Sequence, residues 1–127
     1  WEKLKISKRY GDLMGAGSHS HPEGDSHTSE SGIVAGHAYA VLDIAEDGKD
    51  RLIKVRNPHG VRHTTAEWNG DWSDDSAKWN NRLRNKLKHP KRVVKAGEVA
   101  KNDGIFWMDI QDFVVHYANL YICRTCQ

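Results

Sequence analysis

Apolar positions in this chain fall into a few short runs separated by long polar stretches. The strongest run is GIVAGHAYAVLDIA at 32–45, rich in Ile, Val, Tyr and small residues. Its apolar groups lie on both faces, which predicts a buried strand. EDGK at 46–49 reads as a hairpin turn, because Asp47-Gly48 suits positive φ. RLIKVRN at 51–57 alternates and reads as the returning strand, and Pro58 stops the ladder because it has no N–H to donate. GIFWMDI at 104–110 and LYIC at 120–123 read as further strands. Asp109 is placed to cap a final helix in which Ile110, Phe113, Val114 and Tyr117 share a face. Another helix is predicted to start at Ser73 or Asp74 as N-cap, with Trp79, Leu83 and Leu87 as a thin apolar stripe.

The remaining stretches carry less pattern. Residues 1–14 mix charged and apolar groups and predict a strand or an edge segment. Residues 15–31 are small, polar or turn-forming, which predicts an exposed loop. The basic connector 82–102 is expected to be exposed as well. Four strands against peripheral helices predict an α+β fold, mostly antiparallel β. The 127 residues suit a single domain, 1–127. The chain opens at Trp1 without an initiator Met, so it reads as part of something longer.

Composition removes several functions. No apolar run approaches the ~20 residues of a membrane-spanning helix, and no signal-peptide pattern is visible. The net charge of +2 is small, with signs interspersed. The one basic stretch, Arg82 to Lys95, has few aromatics and resembles no nucleic-acid motif, so it reads as a solvated helix and loop. Cys123 and Cys126 form one C-x-x-C, too few ligands for zinc and without a thioredoxin-like strand-to-helix context. They read as reduced thiols of a cytoplasmic protein. His19, His21 and His27 lie in the polar loop and read as ordinary loop residues rather than metal ligands.

The hairpin brings two residues of chemical interest together. A four-residue turn at 46–49 sets Asn57 opposite position 38, and a three-residue loop sets it opposite His37. Either register holds the His37 and Asn57 Cα atoms within ~4.5–8 Å. An Asn carbonyl that accepts one imidazole N–H fixes the ring's orientation and tautomer. The other ring nitrogen can then act on a thiol, the arrangement of a Cys-His-Asn triad. A His and an Asn on neighbouring strands are also a common structural pair.

Ordered motifs add to this geometry. G-H-A-Y at 36–39, R-N-P-x-G at 56–60, E-W-N-G-D-W-S-D at 67–74, W-N at 79–80 and D-G-x-F-W-M at 103–108 follow one another along the chain. Together with Gly11-Asp12-Leu13-Met14-Gly15 and the ending D-F-x-x-x-Y-x-x-L-x-I-C at 112–123, they resemble the second protease-core subdomain of the calpains. The resemblance spans nearly the whole chain, interrupted at 16–31 and 82–100. It implies the β-rich half of a papain-like cysteine protease core, with His37 and Asn57 as the catalytic His and Asn and with Gly36, His59 and Trp68 lining the cleft. The nucleophilic Cys of the family sits upstream in a Q-G-x-L-G-D-C-W type motif. No such motif occurs here, and Cys123 and Cys126 follow His37 and Asn57, the wrong order. A Cys-bearing upstream subdomain and protein substrates are the implied partners, and this chain alone is expected to be inactive.

The resemblance also implies a calcium ion, held here by Glu67, Asp74 and Asp103 with the backbone carbonyl of Lys101. Carboxylates are suitably hard donors, but calcium takes six to eight oxygens. Ile105 stands where the family has a further acid, and an insertion around His63–Thr65 alters the first loop. The alternative is that these acids cap turns and a helix. Likewise His59 stands where the family has Trp in N-P-W-G. Trp68, Trp72, Trp79 and Trp107 read as packing residues. Three functions follow: a calcium-influenced intracellular cysteine endopeptidase, an inactive calpain-like scaffold, or a protein whose loops 15–31 and 82–100 bind a partner.

Overall fold

The computed structural model describes residues 1–20, 32–57, 67–90 and 104–123. Their elements run α1 (Glu2–Tyr10), β1 (Leu13–Ser18), β2 (Ala38–Asp47), β3 (Asp50–Arg56), α2 (Asn81–Lys86), β4 (Ile105–Asp109), α3 (Ile110–His116) and β5 (Tyr117–Cys123). The strands form one five-stranded sheet in the order β4-β3-β2-β1-β5. Every neighbouring pair is antiparallel. The expected α+β, mostly antiparallel class therefore holds.

Alternation along the strands sorts the core into two layers. Tyr39, Val41, Ile53, Val55, Phe106 and Met108 point to one face, joined there by Leu4 of α1 and Phe113 of α3. Leu52 and Trp107 point to the other face and meet Trp72, Trp79 and Leu83. Trp68, Trp72, Trp79 and Trp107 are all buried, as packing residues should be. Each such ring removes enough apolar area from water to contribute on the order of 2–3 kcal/mol.

Several expectations change. Residues 2–10 form a helix rather than a strand. Leu4 and Ser7 are its buried positions, while lysines and Arg9 face out. Gly11, left-handed at φ 69, closes it, its N–H bonding to Lys8 O. The Lys8 ammonium ties α1 to β2 through Asp43 at 2.7 Å and the Ile44 carbonyl at 2.8 Å. Strand β1 then takes in residues 15–18, the start of the expected loop, because both its edges find partners in β2 and β5. Residues 32–37 stand ahead of β2 instead of within it. Helix α2 starts at Asn81, not near Ser73. Asn80 is its cap, its side chain accepting from Leu83 N at 2.8 Å. Upstream, the Trp79 indole N–H bonds the carbonyls of Trp72 and Ser73, which takes those acceptors out of any helix. Asp109 caps α3 as expected, accepting from Gln111 N, but Val114 is exposed and Tyr117 opens β5 instead of completing the helix's apolar face.

The hairpin register also differs. Its turn is two residues, Gly48-Lys49, so that Asp47 faces Asp50. Gly48 makes this possible by taking φ 59, a conformation costly for other residues. A bulge between Val41 and Asp43 shifts the register once more, and Ala40 faces Arg56. The ladder therefore does not set Asn57 opposite His37. Both lie just outside it, His37 before β2 and Asn57 after β3.

Candidate active site

His37 is placed by Ser18, the last residue of β1. Ser18 N–H donates to His37 O at 3.0 Å, and His37 N–H donates to Ser18 Oγ at 2.9 Å. The same hydroxyl reaches the carbonyls of Val34 and His37. Nearby, Gly36 N–H donates to His19 O at 2.9 Å and turns the chain into β2. Gly36 is exposed, at φ 59.

Tyr39 supports the ring from below. Its hydroxyl accepts Val34 N–H at 3.0 Å, and its ring meets the His37 imidazole edge-on at 5.5 Å. Tyr117 and Phe106 pack edge-on against Tyr39 in turn. Burial pushes the Tyr39 phenol above its usual pKa, so it stays a neutral hydroxyl.

Asn57 leaves the end of β3 with 7 % of its surface exposed. Its backbone N–H donates to Gly104 O at 2.8 Å, just ahead of β4. Its side-chain Oδ1 lies 3.1 Å from His37 Nε2. An amide oxygen only accepts, so Nε2 carries the proton and Nδ1 carries the basic lone pair. A thiol presented to Nδ1 would meet a general base of fixed tautomer.

Trp68 lies in the same buried cluster as Tyr39. Its indole N–H bonds Asp71 O at 2.9 Å, and its ring meets His116 edge-on at 5.1 Å. His116 O accepts His19 N–H at 3.4 Å, so Trp68 braces the segment behind Gly36. His59 lies outside the described residues, as do Pro58, His21, His27, Cys126 and the 63–65 insertion.

Of the expected calcium ligands, Glu67 and Asp74 are described, and Asp103 and Lys101 lie outside the described residues. Glu67 Oε2 accepts Gly104 N–H at 3.1 Å. Asp74 lines a groove of about 200 Å³ with Ile105, Lys54, Arg84, Lys88 and His89. Its Oδ1 is 2.9 Å from His89 Nε2, and its backbone carbonyl accepts from Arg84 at 2.9 Å. Both acids therefore flank the start of β4, directly after position 103. Carboxylate oxygens are hard donors that fit calcium in kind, but Glu67 and Asp74 are each engaged in a hydrogen bond of their own, to Gly104 and to His89. Among the described residues, no group of three acidic, His or Cys side chains is close enough to hold a metal ion.

Cys123 is an exposed free thiol. It pairs with Leu13, the far end of β1 from Ser18. Five residues of strand span ~17 Å, so Cys123 sits well away from His37. Sequence reasoning missed Ser18 and Gly104, which position the pair. The signal for Ser18 was the alternation of small residues through Gly15–Ser18, a strand pattern with little apolar volume.

The family model described as calpain family cysteine protease matches residues 1–124. The chain is 45% identical over 126 residues to the calpain-type cysteine protease DEK1 of Arabidopsis thaliana, covering 98% of this chain and 5% of that protein. It is 44% identical over 126 residues to the calpain-type cysteine protease ADL1 of Oryza sativa subsp. japonica, with the same coverage of 98% and 5%. It is 36% identical over 128 residues to human calpain-14, covering 98% of this chain and 16% of that protein. The chain thus spans a small part of the length of each of these relatives. On the extent of the family match and these identities, the chain belongs to the calpain family of cysteine proteases.

Proposed function

We propose that this chain is the His/Asn subdomain of a calpain-like intracellular cysteine endopeptidase. The observation that carries the reading is the 3.1 Å contact between His37 Nε2 and Asn57 Oδ1. Asn57 holds the imidazole, and His37 takes the proton of a thiol supplied by a Cys-bearing upstream subdomain. The thiolate attacks the scissile peptide carbonyl, and the imidazolium protonates the leaving amine. Water then enters on the thioester, with His37 as base, and releases the acid and the free thiol. Gly36, His59 and Trp68 are the proposed cleft-lining residues.

Calcium influence belongs to the same reading. Glu67, Asp74 and Asp103, with the Lys101 carbonyl, are the residues that would hold the ion, whose charge would draw the surrounding loops together. A cytoplasmic setting suits a thiol nucleophile, which a reducing compartment keeps from oxidising to a disulfide. Among the described residues, no helix is long and apolar enough to cross a membrane.

A second reading, an inactive calpain-like scaffold, is favoured by two residues. His59 stands where the family has Trp, and Ile105 where it has an acid. Peptide hydrolysis by the full-length protein separates the two. The protease reading expects cleavage of a fluorogenic peptide that His37→Ala abolishes. A residue other than Cys at the upstream nucleophile position, or equal hydrolysis by wild type and His37→Ala, would overturn it.

A further inference from the structure

We infer that Glu67 is a positioning residue for the His37–Asn57 pair, acting through Gly104; the inference rests on the catalytic reading of that pair. Glu67 touches both segments that carry the pair. Its side-chain Oε2 accepts Gly104 N–H at 3.1 Å, and Gly104 O accepts Asn57 N–H at 2.8 Å. Its backbone lies against the other segment, since a Cβ on Gly32 would fall 2.1 Å from Glu67 O. Gly32 leads directly into the 34–37 turn that Ser18 and Tyr39 hold.

The coupling is mechanical. The N–H and C=O of Gly104 belong to two different peptide groups, joined at one Cα. Gly104 is left-handed at φ 78, where backbone rotation meets no Cβ. Two hydrogen bonds, one on each side of that Cα, remove the freedom that glycine otherwise brings. One of them ends on a carboxylate, the stronger class of acceptor. Gly104 is buried, so its N–H has little water to turn to if Glu67 is lost. Asn57 then loses the fixed carbonyl that seats its backbone, and its Oδ1 no longer holds Nε2 at one place. A remote residue that fixes a reacting group acts through orientation, where small displacements are costly.

This role differs from that of a calcium ligand, and Glu67 is a candidate for both. Gln in place of Glu keeps a carbonyl oxygen able to accept Gly104 N–H but removes the charge a metal needs. Hydrogen–deuterium exchange of the full-length protein, run in chelator, reads the first role without the second. Glu67→Ala is expected to speed exchange at the Asn57 and Gly104 amides about tenfold, and Glu67→Gln to recover most of that protection. Equal loss in the Gln variant would show that Glu67's charge, and not the hydrogen bond it accepts, holds Gly104, and would overturn the inference.

Kinetics on the same protein give the second arm. Glu67→Ala is expected to lower kcat about tenfold with KM within about twofold. In an Asn57→Ala background the same change should cost less than twofold, because its route to His37 is already cut. Additive losses would show that Glu67 acts elsewhere. If the wild-type protein hydrolyses no peptide, the protease reading fails, and exchange at Asn57 still decides whether Glu67 positions it.

Discussion

Ser18 and His37 are joined backbone to backbone and side chain to backbone: Ser18 N–H to His37 O at 3.0 Å, and His37 N–H to Ser18 Oγ at 2.9 Å. The Ser18 hydroxyl is itself buried and reaches the Val34 carbonyl. One side chain thus satisfies polar groups at both ends of the turn that presents the imidazole. Ser18→Ala leaves the His37 N–H without that acceptor in a partly buried place. It should cost about 1–3 kcal/mol of stability. Urea denaturation checks the stability term. On the protease reading, the loosened turn should make peptide hydrolysis by the full-length protein fall further than the population of folded protein does, and a fall that tracks folding alone would deny Ser18 its positioning role.

The Asn57 contact makes a separate prediction about the state of the ring. With Oδ1 at 3.1 Å, Nε2 is the protonated nitrogen and Nδ1 the base. Asn57→Ala removes the acceptor that selects one tautomer and frees the ring to rotate. On the protease reading, kcat/KM should drop by ~10²-fold, the size of a disturbed general base. Asn57→Gln keeps an amide acceptor but moves it by one methylene, so it should recover only part of that loss. Steady-state hydrolysis of a fluorogenic peptide by the two variants checks both, and wild-type kcat/KM in Asn57→Ala would argue that the amide does not hold the working base.

Asp47, at the tip of the β2–β3 hairpin, predicts how the fold responds to acid. Arg82 of α2 grips both its oxygens at 3.0 and 2.9 Å, and Lys86 reaches it at 3.2 Å. The Arg82 bonds first, and then Lys86, hold the Asp47 carboxyl well below the usual carboxylate range. A depressed folded pKa means that the ionised form stabilises the fold. That contribution is complete above the unfolded value of about 3.9 and fades as pH falls toward the folded value. Asp47→Asn should therefore lower Tm at pH 7, with the wild-type advantage shrinking below about pH 4. The pair is at the surface, so salt at about 1 M should also narrow the gap. Melting curves across pH and salt test this, and a gap as large at pH 2 as at pH 7 would point to packing rather than charge.

The clearest parts of this fold in the sequence were those with strong periodicity. The Asp109 cap and the four buried tryptophans are found as expected, and the expected returning strand is there but ends at Arg56, with Leu52 and Ile53 both buried because both faces of β3 are covered. The hairpin was legible but its register was not. A two-residue turn at Gly48 and a bulge beside Leu42 moved the pairing in opposite senses, and neither leaves a mark in the apolar pattern. Helix α1 was missed because its buried face is thin: Leu4 and Ser7 are its buried positions, and Ser7 is polar. Gly11 was the available signal, a glycine following Lys8-Arg9 at a helix end. In the site, His37 and Asn57 were visible because chemistry limits the choice of residue. Ser18, Gly104 and the second contact of Glu67 were not, since they act through backbone groups that any residue carries.

Calcium gives the last prediction, because the groove beside Asp74 sets attraction against repulsion. Glu67 and Asp74 flank the start of β4 and Asp75 lines the groove beside Asp74, but so do the cations Lys54, Arg84 and Lys88. Like charges within several ångströms cost on the order of a kcal/mol each at the dielectric of a protein surface. Calcium should therefore bind weakly, in the millimolar range, with Asp103 required to complete the set. At ten times its dissociation constant, the ion should add about 1.4 kcal/mol to stability. Thermal melts of the full-length protein with and without calcium test this, and Asp103→Ala should cancel the shift. Lys54→Gln should tighten binding several-fold by removing one of the opposing charges. No shift at millimolar calcium in either the wild type or Lys54→Gln would show that these acids serve the protein's own hydrogen bonds instead: Glu67 to Gly104, and Asp74 to His89.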